Sequence, residues 1–122
     1  MLAEAGCVVS AEVDARSGTA ADASVISGNG EQAVVRGELC GNGLVIRNRH
    51  AGDRFRPVGL AGHKKLQDYF VDRKVARAQR DRVPIVVNAN DRIVWVAGYG
   101  IDAAFRVTDP AQAVLLLRLR RV

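Results

Sequence analysis

Cysteine is scarce in this chain: two residues in 122, Cys7 and Cys40, neither in a CxxC pair nor beside a histidine at metal-ligand spacing. That excludes a disulfide framework and, with His50 and His63 as the only histidines, leaves no ligand set for zinc. Both cysteines read as small, buried or half-buried residues of a reducing compartment. Long hydrophobic runs are missing too. The most apolar stretch, Ala113 to Leu117, ends at Arg118, far short of the ~20 residues that cross a bilayer. Glu4 stands where the apolar core of a secretory signal would begin, and no basic residue precedes it, so a cytoplasmic location is expected. What is left is an ordinary globular composition, 48% hydrophobic and 25% charged, one domain's worth of chain that needs no staples to fold.

Acids are the other scarcity, and it is local. Residues 47–82 carry eleven Lys and Arg against four Asp, a net of +7, whereas residues 1–46 carry −4 and residues 83–122 carry +2. The stretch RNRHAGDRFRPVGLAGHKKL, residues 47–66, holds Asp53 as its single acid. Phe55, Leu66, Tyr69 and Phe70 interleave the charge, which makes it a folded basic surface and points to a polyanion as partner. Chemistry finds little support in the same region. It has no serine and no cysteine, and His63 is followed by two lysines that disfavour its protonated form. Asp53, Asp68, Asp72 and Asp81 stand among bases and read as ion-pair partners or caps, not as an acid/base pair. The glycines of SGNGE, Ser27 to Glu31, precede no helix that a phosphate could meet, so that motif reads as a turn. No catalytic, cofactor or metal residue is assigned.

The pattern of apolar residues predicts a mainly β domain. CVVSAEV alternates as a half-buried strand does, and 16–30 reads as a loop with a short strand at Val25 and Ile26. QAVVRGEL and GLVIRNR read as two strands joined by a tight turn at Gly41, Asn42 and Gly43. IVVN and RIVWVAG form the clearest hairpin, turning at Ala89 to Asp91. FRVT and AVLLLRLRRV close the chain as strands, with a helix starting at Asp109 and Pro110 as the alternative for the last. Between them, Leu66, Tyr69, Phe70 and Val71 recur at helical spacing from Lys64 to Lys74, and Arg73 extends the stripe. A second short helix over ARAQRDRVP must stop before Pro84. The expected organisation is N-terminal strands and a loop over 1–43, then a domain over 44–122 with a helical insert at 63–82.

Several separated motifs carry a resemblance. Arg47-x-Arg49-x-x-Gly52-Asp53-Arg54-Phe55-x-Pro57-x-Gly59, then Lys64-Lys65-Leu66, Arg80-x-x-x-Pro84 and Val94-Trp95-Val96-x-Gly98 are similar to the C-terminal domain of bacterial tRNA(Ile)-lysidine synthetase. The likeness runs from about Leu44 to Phe105; Ala51 departs from it, where that family more often has proline or glutamate. The resemblance implies a β-sandwich-like fold related to a domain of the phenylalanyl-tRNA synthetase β subunit. It also implies a role in binding isoleucine tRNA near the acceptor stem. In that family ATP and lysine are used by an N-terminal PP-loop domain, marked by Ser-Gly-Gly-x-Asp-Ser, to convert the wobble cytidine to lysidine. That motif does not occur here, so no cofactor is expected in this chain, which alone should neither hydrolyse ATP nor form lysidine.

The residues expected to grip tRNA are Arg47, Arg49, Arg54, Lys64, Lys65 and Arg77. Arg47 and Arg49 share a face if the strand is extended, and Lys64 and Lys65 stand at the start of the predicted helix, where cations oppose the dipole. On this reading, alanine at Arg47, Lys64 and Lys65 weakens tRNA binding without changing the melting temperature, whereas Arg80→Ala lowers stability. Asp53 is expected to cap a turn or hold Arg54. The competing readings are a protein-interaction or structural module whose basic face meets an acidic partner, and a small enzyme with a site not visible in sequence. A homodimer is compatible with all three.

Overall fold

The computed structural model describes residues 2–4, 7–14, 30–37, 43–60, 62–108 and 114–121. Strands β1 (Leu2–Glu4), β2 (Cys7–Asp14), β3 (Gln32–Arg36) and β10 (Val114–Arg121) form one antiparallel sheet in the order β1-β2-β10-β3. Strands β4 (Leu44–Arg47), β7 (Ile85–Asn88), β8 (Ile93–Val96) and β9 (Gly100–Ile101) form a second, in the order β4-β7-β8-β9. β10 is the hinge of the first sheet's connectivity, pairing with β2 from Val114↔Asp14 to Arg121↔Cys7 and with β3 on its other side. The mainly β, sandwich-like fold expected from the sequence is the one observed.

The two sheets share one core. Ala33 and Val35 of β3 with Leu117 and Leu119 of β10 meet Ile46, Val86, Val94, Trp95 and Ile101 across it. Face-to-face packing of this kind stacks two sheets about 10 Å apart. The second sheet is buried on its other face as well, where Ile85, Val87, Ile93 and Val96 meet Phe55, Leu66, Tyr69 and Phe70. This double burial explains why IVVN and IVWV read as unbroken apolar runs and show none of the usual alternation. A β-bulge makes it possible. Val86 pairs with Trp95 but Val87 pairs with Ile93, so Val94 is the extra residue, and Val94 and Trp95 both enter the inter-sheet core.

The second face is covered by the insert. β5 (Arg54–Phe55) and β6 (Lys64–Lys65) form a two-stranded ladder that leads into α1 (Leu66–Asp72), followed by α2 (Arg77–Arg80). The apolar stripe docks α1: Leu66, Tyr69 and Phe70 are buried, and the Phe55 and Tyr69 rings meet edge to face at 4.9 Å. Arg73 lies over the Tyr69 ring at 4.5 Å. α1 ends with Lys74 in the left-handed region (φ 57); its N–H donates to the Val71 carbonyl and that of Val75 to Phe70, a Schellman closure. Arg80 Nε donates to the Val75 carbonyl at 3.0 Å and ties α2 back to this turn.

Four expectations need correction. QAVVR and LVIR are strands but not a hairpin, because β3 pairs with β10 and β4 with β7 in the other sheet. FRVT is no strand: Phe105 ends a 3-10 turn (Ala103–Phe105) capped by the buried Asp102, whose carboxylate accepts from the Ala104 and Arg56 N–H groups. Lys64 and Lys65 precede the helix in an extended ladder instead of opening it. Val71 faces outward, 52% exposed. The strand at Leu2–Glu4 was not foreseen. The predicted strand at Val25–Ile26, the turn at Gly41 and Asn42, Cys40 and the sequence at Asp109–Pro110 lie outside the described residues. No helix among the described residues is long and apolar enough to cross a membrane.

Candidate nucleic-acid interface

The basic loop begins where β4 ends, at Arg47. Its Nη1 and Nη2 donate to Asp53 Oδ2 and Oδ1 at 2.9 and 3.0 Å, a fork-on-fork pair whose side chains are only 13% and 11% exposed. Nε reaches Asp91 Oδ1 at 3.3 Å, on the turn between β7 and β8. Asp53 also accepts from the His50 N–H at 2.7 Å, while its own N–H returns to the His50 carbonyl. Residues 50–53 therefore form a closed turn, with Gly52 at φ 86 in its third position, where a side chain would be strained. Asp53 caps the turn as expected, but the arginine it holds is Arg47 and not Arg54.

Burial alone would raise the Asp53 carboxyl, but hydrogen bonds from Arg47 and the His50 N–H outweigh it and hold the group below its ordinary value. A carboxylate with a depressed folded-state pKa stabilises the fold above its unfolded value and loses that contribution as pH falls through the folded one. Denaturation midpoints measured across the acid range should therefore fall as pH drops below the ordinary carboxylate range, about 4, in the parent. In Asp53→Asn this component of the decline should be missing; an identical pH profile in the variant would contradict the assignment.

Past Arg47 the loop turns to solvent. Arg49 Nε donates to Asp81 Oδ1 at 2.7 Å, joining the loop to the end of α2. Between them opens a cleft of about 400 Å³ whose lining includes Arg49, His50, Lys65, Gln67 and Asp81. Lys65 stands directly opposite Arg54 in the β5–β6 ladder, both exposed. Like charges so placed repel, so the fold spends some stability to keep them together.

The six nominated cations thus divide. Arg49 and Lys65 line the cleft, and Arg54 stands outside its lining, opposite Lys65 in the ladder; Arg47 is committed to Asp53 and Asp91; Lys64 bonds to Asp72; Arg77 is exposed on α2 and does not line the cleft. Among the described residues, Arg54, Arg56, Lys65, Arg73, Lys74, Arg77, Arg82, Arg92, Arg106 and Arg118 are exposed and have no acidic partner, Arg73 and Arg92 lying over aromatic rings instead. His50, Gln67 and Asp81 line the cleft without having been singled out for binding. Adjacency to Arg49 could have nominated His50, but nothing local marks Asp81, 32 residues away.

The family model described as the TilS substrate C-terminal domain matches residues 44–119. The chain belongs to this family. The TilS C-terminal domain assignment agrees with its relatives. A tRNA(Ile)-lysidine synthase of Symbiobacterium thermophilum is 45% identical over 78 residues, 64% of this chain and 16% of that protein. One of Caldanaerobacter subterraneus is 40% identical over 74 residues, 61% of this chain and again 16% of the relative. The chain therefore spans about a sixth of the curated relatives it matches. A crystal structure of a TilS C-terminal domain superposes with a TM-score of 0.78 at 32% identity, covering 97% of this chain and 86% of that one. An N-terminal fragment of the phenylalanyl-tRNA synthetase β subunit from Pyrococcus horikoshii shares the fold, with a TM-score of 0.60 at 8% identity over 75% of this chain and 28% of the other.

Proposed function

We propose that this TilS C-terminal domain grips tRNA through its backbone, on the face that carries Arg49, Arg54 and Lys65, and meets the acceptor stem of an isoleucine tRNA. The observation that carries the reading is the Arg54–Lys65 pair, two exposed cations held opposite each other with no acid between them. Two adjacent phosphates relieve that repulsion, and an A-form stem, read mainly by shape, presents phosphates in regular rows. The turn at 50–53 and the Arg47–Asp53 fork beneath it fix the loop before RNA arrives, so little ordering entropy is lost on contact. The chemistry belongs to the part of the relatives that this chain does not span: activation of the wobble cytidine with ATP and its joining to lysine. This domain's contribution is placement.

Phosphate contacts release counterions, so affinity must depend on salt. For the contacts that Arg49, Arg54 and Lys65 supply, tRNA binding should weaken by roughly 40-fold between 50 and 200 mM salt. Fluorescence anisotropy with a labelled transcript measures this directly. Affinity that is flat across that range would rule out a phosphate-gripping face.

A further inference from the structure

We infer that Asp81 occupies, in the free protein, the seat of an RNA phosphate on Arg49, and that binding exchanges one anion for the other. The inference rests on the RNA-binding reading above and names the group that the cleft takes: a phosphodiester held by Arg49 with Lys65 alongside. Two carboxylates line the cleft, and they differ in kind. Both oxygens of Asp53 are used by Arg47 and the His50 N–H, inside the fold. Asp81 is 69% exposed and holds Arg49 through a single contact at Nε. The Arg49 guanidinium keeps its Nη donors for a second acceptor, and an arginine's planar fork suits the paired oxygens of a phosphate.

The exchange is energetically open. Exposed ion pairs hold weakly, and a freed Asp81 carboxylate at the end of α2 is solvated at once. An arriving phosphodiester replaces the charge Asp81 supplied and gains Lys65, which lines the same cleft. The exchange makes the site selective: an isolated anion gains Lys65 alone over Asp81, whereas a backbone whose next phosphate reaches Arg54 gains a second contact as well.

A double-mutant cycle on tRNA affinity at fixed low salt tests this, with melting curves to confirm that each variant is folded. Asp81→Asn should tighten binding by about two- to five-fold, the range of an exposed ion pair released from competition. In the Arg49→Ala background the same substitution should leave affinity nearly unchanged, since no seat remains to be vacated. An equal gain in both backgrounds would mean that Asp81 acts only as a distant negative charge. Weakened binding in Asp81→Asn would mean that it positions Arg49. Either result overturns the exchange while leaving RNA binding intact, whereas a parent chain that retains no tRNA at low salt overturns both.

Discussion

Arg47→Ala should lower the unfolding free energy of this domain by about 2–4 kcal/mol, the largest stability effect expected of any basic residue in the loop. An exposed ion pair would be worth about 0–1 kcal/mol, and breaking a fully buried one about 3–5. The low exposure of Arg47 and Asp53 and their two parallel hydrogen bonds place the pair toward the buried limit. Removing the guanidinium strands the Asp53 carboxylate on the His50 N–H alone and frees the turn between β7 and β8 from Nε. Arg47→Ala with Asp53→Ala should recover part of the loss, because no orphaned charge remains. Urea titrations of the parent, both single variants and the double variant give the comparison. An unchanged midpoint in Arg47→Ala would sink the scaffold role and restore the sequence-based expectation that this residue can be removed without cost.

Arg54→Glu combined with Lys65→Glu should weaken tRNA binding by about 10²- to 10³-fold at low salt, through lost phosphate contacts and new repulsion. Stability should barely move, since a like-charged pair replaces a like-charged pair across the ladder. The single Lys65→Glu is more telling. It creates an opposite-charge pair with Arg54, so the melting temperature should rise slightly while tRNA affinity falls. Binding and stability then change in opposite senses, which general damage to the fold cannot imitate. Parent-like affinity in the double variant would show that RNA meets another face.

These two experiments separate cations that the sequence could only list together. The +7 segment, its interleaved aromatics and the β-rich surroundings were legible because composition and periodicity report burial and charge directly. The β7–β8 hairpin was legible because its turn chemistry is local: Asn88 Oδ1 accepts from the Asn90 and Arg92 N–H groups. The partner of β3 was not, since adjacency in sequence suggested β4 whereas the ladder is closed by β10, about eighty residues on. The fates of Arg47, Arg49 and Lys64 were likewise hidden. Spacing can put Arg47 and Arg49 on one face, but whether each guanidinium meets water or a carboxylate depends on Asp91 and Asp81, brought near by folding. Lys64 and Lys65 looked equivalent as neighbours; alternation along β6 sends one toward Asp72 and the other toward Arg54.

The bulge at Val94 decides how the second sheet is encoded. In most half-buried sheets a strand slipped by one residue turns its apolar side chains to water, and that penalty fixes the alignment. Here both faces are apolar, so a slipped β8 would still present hydrocarbon on each side and the penalty would be small. The alignment must be written elsewhere. Only with the extra residue at Val94 do Val94 and Trp95 both reach the inter-sheet core while Ile93 and Val96 reach the insert, and the side-chain turn at Asn88 starts the count at the correct residue. The specification of pairing has moved from the rhythm of the side chains into an irregularity of the backbone, and Trp95, the largest fully buried side chain among the described residues, is what reads it.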